Sequence, residues 1–72
     1  MDKAIYIFHH GTQWDNEIMG IVANNAVDAL EIARTVCQNM SLNDLVRYTL
    51  VKDEVQPGIH FRIEIENPSY EG

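Results

Sequence analysis

Residues 59–66 read Ile-His-Phe-Arg-Ile-Glu-Ile-Glu, an unbroken alternation of apolar and polar side chains. Successive side chains of a strand point to opposite faces, so this two-residue period fits a half-buried β-strand and cannot make the apolar stripe of a helix. The expectation is that Ile59, Phe61, Ile63 and Ile65 face a core, while His60, Arg62, Glu64 and Glu66 face water. A strand of this kind needs strands beside it and a layer over its apolar side.

The rest of the chain supplies them. Lys3 to His10 reads as a first strand, with Tyr6 and Phe8 on one face and Ile5 and Ile7 on the other. Apolar side chains on both faces suit a strand flanked or covered on both sides. The polar stretch Gly11 to Asn16 is a loop that carries one large aromatic, Trp14. Glu17 to Ala23 is a second strand, with Ile18 and Val22 opposed to Met19 and Ile21, and with Gly20 as a bulge or a point of close approach. Asn25 is a suitable N-cap for the helix that follows. Ala26, Ala29, Leu30, Ala33, Val36, Cys37 and Met40 fall on one helical stripe, opposite Asp28, Glu31, Thr35 and Gln38. Three alanines in that stripe allow close packing on a sheet, and Glu31 and Arg34 are spaced to pair. Ser41 to Asp44 resembles a cap and a short turn. Leu45 to Asp53 reads as a third strand, with Val46, Tyr48 and Leu50 opposed to Arg47, Thr49 and Val51. Pro57 and Gly58 suit a tight hairpin into the fourth strand, Gly58 taking a positive φ. The expected fold is α+β, in the order β-β-α-β-β: one amphipathic helix packed on a four-stranded, mainly antiparallel sheet. It forms a single domain over 1–72, with a loose polar tail over 66–72.

Composition narrows what such a domain does. A chain this short hides only about 60% of the surface that its unfolded form exposes, so it needs an efficient core or self-association. A single cysteine, Cys37, excludes an internal disulfide, and no Cys/His spacing suggests structural zinc. A lone cysteine on an apolar stripe fits a reducing compartment. Met1-Asp2-Lys3-Ala4 does not open a signal peptide, and no apolar run is long enough to cross a membrane, so a cytosolic protein with no membrane contact is expected. The formal net charge is −6 with only five Lys and Arg residues, which argues against direct nucleic-acid binding. It suits solubility, and it suits a protein partner with a basic surface.

Chemistry-bearing motifs are weak, so no catalytic, cofactor or metal residues are assigned. His9 and His10 lie near Asp15 and Glu17, but neighbouring strand residues point to opposite faces and cannot easily share one ion. Ordinary strand-end histidines are the preferred reading. Cys37 reads as a core thiol, because a reactive one is partly exposed in electropositive surroundings. No nucleophile elbow and no Gly-rich phosphate loop occurs, and no cofactor is expected. Trp14 either covers one end of the core or anchors a partner. The polar side of the second strand pair, with Arg47, Thr49, His60, Arg62, Glu64 and Glu66, reads as a solvated face. Ile5 and Ile7, or Tyr6 and Phe8, then need cover that one helix cannot give. Exposed edge strands offer a further route to a partner by strand addition.

A strand pair, a helix opening after "IVANN" with "AVDALEIARTV", and a second strand pair give a layout that resembles very small phage-encoded proteins, among them several anti-CRISPR proteins. The resemblance covers most of the chain as a pattern and carries no family motif. It implies a non-enzymatic inhibitor that occupies a basic, nucleic-acid-binding surface of a host defence complex. On that reading Asp15, Glu17, Asp53, Glu54, Glu64 and Glu66 supply charge complementarity, and Trp14 and Tyr48 supply anchors. The alternative is a self-associating, antitoxin-like homodimer. A small metal-binding enzyme built around His9, His10 and Asp15 is the least favoured reading.

Overall fold

The computed structural model describes residues 3–12 and 15–66. Trp14 and the tail over 67–72 lie outside them. The element order is β1 (Lys3–Gly11), β2 (Asp15–Ala23), α1 (Ala26–Ala33), a 3₁₀ turn (Leu42–Asp44), β3 (Leu45–Val51) and β4 (Gly58–Glu66). This is the α+β, β-β-α-β-β arrangement that the side-chain periods imply. All three strand pairings are antiparallel, and the sheet order is β3-β1-β2-β4.

That order corrects one expectation. β3 and β4 do not form a hairpin, because each pairs instead with a strand of the first hairpin and they occupy opposite edges. The connection over 52–57 therefore has to cross the end of the sheet. Lys3 holds it there: its Nζ donates to the carbonyls of Asp53 (2.6 Å) and Val55 (3.1 Å). Gly58 does take a positive φ, 131°, where the chain turns into β4.

The helix begins as its cap dictates. The Asn25 side-chain oxygen accepts from the Asp28 N–H at 2.8 Å, satisfying one of the unpaired first-turn donors. It ends earlier than the stripe suggests, with Ala33 its last residue and Arg34 its C-cap. Turn hydrogen bonds then run from Thr35 N–H to the Ile32 carbonyl and from Val36 and Cys37 N–H to that of Ala33. Thr35 Oγ1 also donates to the Ile32 carbonyl at 2.6 Å, a local bond that competes with helix continuation. Val36 is consequently exposed rather than on the buried stripe. Arg34 does not pair with Glu31; its Nε donates to the Gln38 carbonyl at 3.4 Å.

The core lies between the helix and one face of the sheet. Ala4, Tyr6 and Phe8 of β1 stand beside Ala23, Ile21 and Met19 of β2, and Ala29, Ala33 and Met40 close over them. The alanines admit the close approach that their size allows. Eight helical residues span only about 12 Å, whereas nine-residue strands run about 30 Å, so the helix covers part of that face.

The alternation in β4 does not end where its period suggests. Ile59 pairs with Ile21, but Phe61 pairs with Gly20, so His60 is an extra residue in the ladder. A bulge of this kind turns every following side chain to the other side. Beyond it Arg62 stands opposite Met19 and Glu64 opposite Glu17, both on the helix side. Phe61, Ile63 and Ile65 share the opposite face with Gly20, Ile18 and Asn16. The expectation that Phe61, Ile63 and Ile65 meet the helix-side core is therefore wrong, and so is that of one polar face shared by Arg47, Thr49, Arg62 and Glu64. Arg47 and Thr49, opposite Ile7 and Ile5, lie on the face away from the helix.

Candidate protein-binding surfaces

The bulge sorts charge from apolar surface. On the helix side of the sheet, Glu17 on β2 stands directly opposite Glu64 on β4, with Asp15 two residues along β2 in register with position 66. Like charges placed opposite one another in a ladder are destabilising. One cation lies in the group. The Arg62 guanidinium pairs with Glu17 and, through Nη1, with Glu64 at 3.2 Å. Its hydrogen bond to Glu17 raises its already high pKa, so it stays charged. Asp15 accepts from Thr12 Oγ1 at 3.1 Å in the first loop.

Cys37 sits beside this strip, half-buried after the helix end. Burial pushes its thiol pKa up, and the Glu17 carboxylate pushes it further, while hydrogen bonds from the Asn39 and Met40 backbone pull the other way. A raised thiol pKa leaves less thiolate at any given pH, and thiolate is the reacting form. Cys37 should therefore alkylate with iodoacetamide at mildly alkaline pH more slowly than in the urea-unfolded chain. Glu17→Gln should speed the folded reaction, and an unchanged rate would remove Glu17 as a cause.

The histidines keep separate partners. His9 Nε2 lies 3.1 Å from Asn16 Oδ1, and His10 Nδ1 lies 3.0 Å from Asp44 Oδ2. Asp44 Oδ2 also accepts from the Ser41 N–H at 2.9 Å, which ties the 3₁₀ turn to the end of β1. Among the described residues no three His, Cys, Asp or Glu side chains are grouped to hold a metal ion. No helix among them is long and apolar enough to cross a membrane.

The other expected contact residues are dispersed. Asp53 and Glu54 lie in the 52–57 connection, at the end of the sheet remote from Asp15 and Glu17. Tyr48 is on the β3 edge, 61% exposed, with its ring stacked on that of Tyr6 at 5.5 Å between centroids. The structure thus joins Asp15, Glu17, Glu64 and the Glu66 position in one strip, and leaves Asp53, Glu54 and Tyr48 outside it.

A second surface was visible in the sequence only as a surplus of apolar strand. The face away from the helix carries Ile5, Ile7, Ile18, Phe61, Ile63 and Ile65, half-buried or exposed, with Val22 buried at the end where Lys3 holds the 52–57 connection. Phe61 lies across Gly20, where an added Cβ would come within 2.3 Å of its ring. The chain matches no protein-family model, no curated protein and no solved structure.

Proposed function

We propose that this chain works by contact rather than catalysis. It is a small protein-binding module that engages a basic surface on a larger protein, of the kind that holds nucleic acid in a host defence complex, and so acts as a phage-type inhibitor. The observation that carries this reading is the placement of Glu17 directly opposite Glu64, with Asp15 beside them on the same side of the sheet. Arg62 neutralises only part of this charge, and the strip stays net negative. A cationic partner relieves it, and the clustered charge speeds the encounter. Arg62 holds Glu17 and Glu64 in place within the strip.

The test is capture from lysate of the native host, followed by competition. The captured protein should be released by moderate salt and by heparin, a polyanion that occupies nucleic-acid-binding surfaces. The double variant Asp15→Asn/Glu64→Gln should weaken capture by at least about tenfold at low salt without changing the circular dichroism spectrum. Binding that ignores salt, heparin and these two substitutions would overturn the reading.

A further inference from the structure

We propose that the sheet face away from the helix is a homodimer interface, on which a second copy of the chain packs face to face. This goes beyond the partner contact proposed above and uses the opposite side of the sheet.

Three observations favour a second copy as the occupant. The first is chemical. The register leaves Lys3, Ile5, Ile7 and His9 of β1, Ile18, Gly20 and Val22 of β2, Arg47 and Thr49 of β3, and Phe61, Ile63 and Ile65 of β4 on this face; Gly20 and Val22 are already buried within the chain, and Ile5, Ile7, Ile18 and Phe61 are half-buried. Ile63 and Ile65 are about half exposed, at 47% and 48%. Such an apolar sheet surface normally meets a second layer.

The second observation is the distribution of charge. The chain has 11 acidic residues and a net charge of −6, so two copies repel through most of their surfaces. None of the carboxylates among the described residues lies on this face: Asp15, Glu17 and Glu64 are on its reverse, Asp28 and Glu31 on the helix, Asp44 in the 3₁₀ turn, and Asp53 and Glu54 in the end connection. It is the side on which two such chains approach with least repulsion. A two-fold axis parallel to the strands sets the β3 edge of one copy over the β4 edge of the other. Arg47 of one copy, level with Ile7, Gly20 and Phe61 in the register, then lies over the β4 edge of the other near Phe61.

The third observation is size. A face about 30 Å long and about 19 Å wide has a projected area near 550 Å². Two copies together remove at most roughly 1,100 Å², just above the lower limit of about 1,000 Å² for a biological interface. A 72-residue domain with no disulfide gains from that burial more than a large one does. Both acidic strips stay on the outside of such a dimer.

Sedimentation equilibrium of the intact chain from low to high micromolar concentration tests this. The expected result is a mass that rises to twice that of the chain. Ile63→Lys and Ile7→Lys each place a charge in the face, and each should weaken association by about tenfold or more. Leu50→Lys on the β3 edge should leave it unchanged. Ile63 is half exposed already, so its variant is expected to fold, as circular dichroism will report. Solvent paramagnetic relaxation of labelled isoleucine methyl groups in the wild type gives a readout that needs no variant: Ile63 and Ile65 should become shielded as concentration rises. A monomer at every concentration overturns the proposal, as does methyl shielding that stays constant. Association abolished by Leu50→Lys but not by Ile63→Lys also overturns it, and assigns the contact to β3 edge pairing.

Discussion

Phe8→Ala should bring the domain to the edge of unfolding. Phe8 is fully buried, at 0% exposure, in the layer it shares with Tyr6, Met19, Ile21 and Met40. Removing a buried phenyl ring loses its transfer free energy and leaves a cavity, at a cost of about 3–5 kcal/mol. Stabilities of roughly 0.05–0.15 kcal/mol per residue give a domain of this size about 4–11 kcal/mol in total. The loss is therefore a large part of what is available. The neighbours are poorly placed to collapse into the space: Ala29 and Ala33 are too short to fill it, and Phe8 is also held by strands on both sides. Urea unfolding followed by circular dichroism at 25 °C measures the effect. A loss below about 1 kcal/mol would mean that Phe8 does not lie at the centre of the core.

Gly20→Ala is the second substitution with a large effect, and its cause is local. An ideal Cβ on Gly20 would lie 2.3 Å from Phe61 Cε2 and within 3.0 Å of two further ring carbons. The ring has to lift off the sheet to admit the methyl group. It then loses its contact with the strand backbone, and overpacking of this kind costs about 1–3 kcal/mol. A double-mutant cycle separates this clash from any general intolerance of β2 to a side chain. Once Phe61→Ala has removed the ring, the added methyl has nothing to displace. The two substitutions together should therefore cost clearly less than the sum of their separate effects. Additivity to within about 0.5 kcal/mol would show that the ring does not rest on Gly20. Phe61 lies on the face proposed for self-association, so the same cycle followed by sedimentation tells whether the seated ring also matters to the dimer.

Much of this arrangement is legible from local chemistry. The faces of β1 and β2 follow from their alternation, which left open the side that meets the helix; the structure puts Tyr6, Phe8, Met19 and Ile21 in the core. Asn25 caps the helix through its side chain, and Gly20 marks a close approach. Glu17, Glu64 and Glu66 were readable as acidic strand residues and Asp15 as a loop residue, whereas β2 starts at Asp15; none was readable as part of one strip. Nothing in their spacing says that β2 and β4 are neighbours, or that Glu17 will stand directly opposite Glu64. The helix was read seven residues too long, because the apolar period persists to Met40 after the hydrogen bonds of Thr35 and Val36 have tightened to the i−3 carbonyls.

What the sequence by itself determined is what depends on a residue and its near neighbours: four strands and one helix, their order, the cap, the positive φ at Gly58, and an excess of apolar strand over one short helix. Tertiary structure alone decided which strands pair and which way β4 faces. β3 and β4 are adjacent in sequence and look like a hairpin, yet each completes a ladder on the first hairpin instead, and their connection lies across the end of the sheet under the hold of Lys3. One extra residue, His60, then reverses every later side chain of β4, because the strand period is two. That reversal carries Phe61, Ile63 and Ile65 away from the helix and brings Arg62 and Glu64 to Glu17. The physical reason is that periodicity is written into the chain locally. Pairing partners and bulges are settled by long-range packing, which the local pattern does not encode.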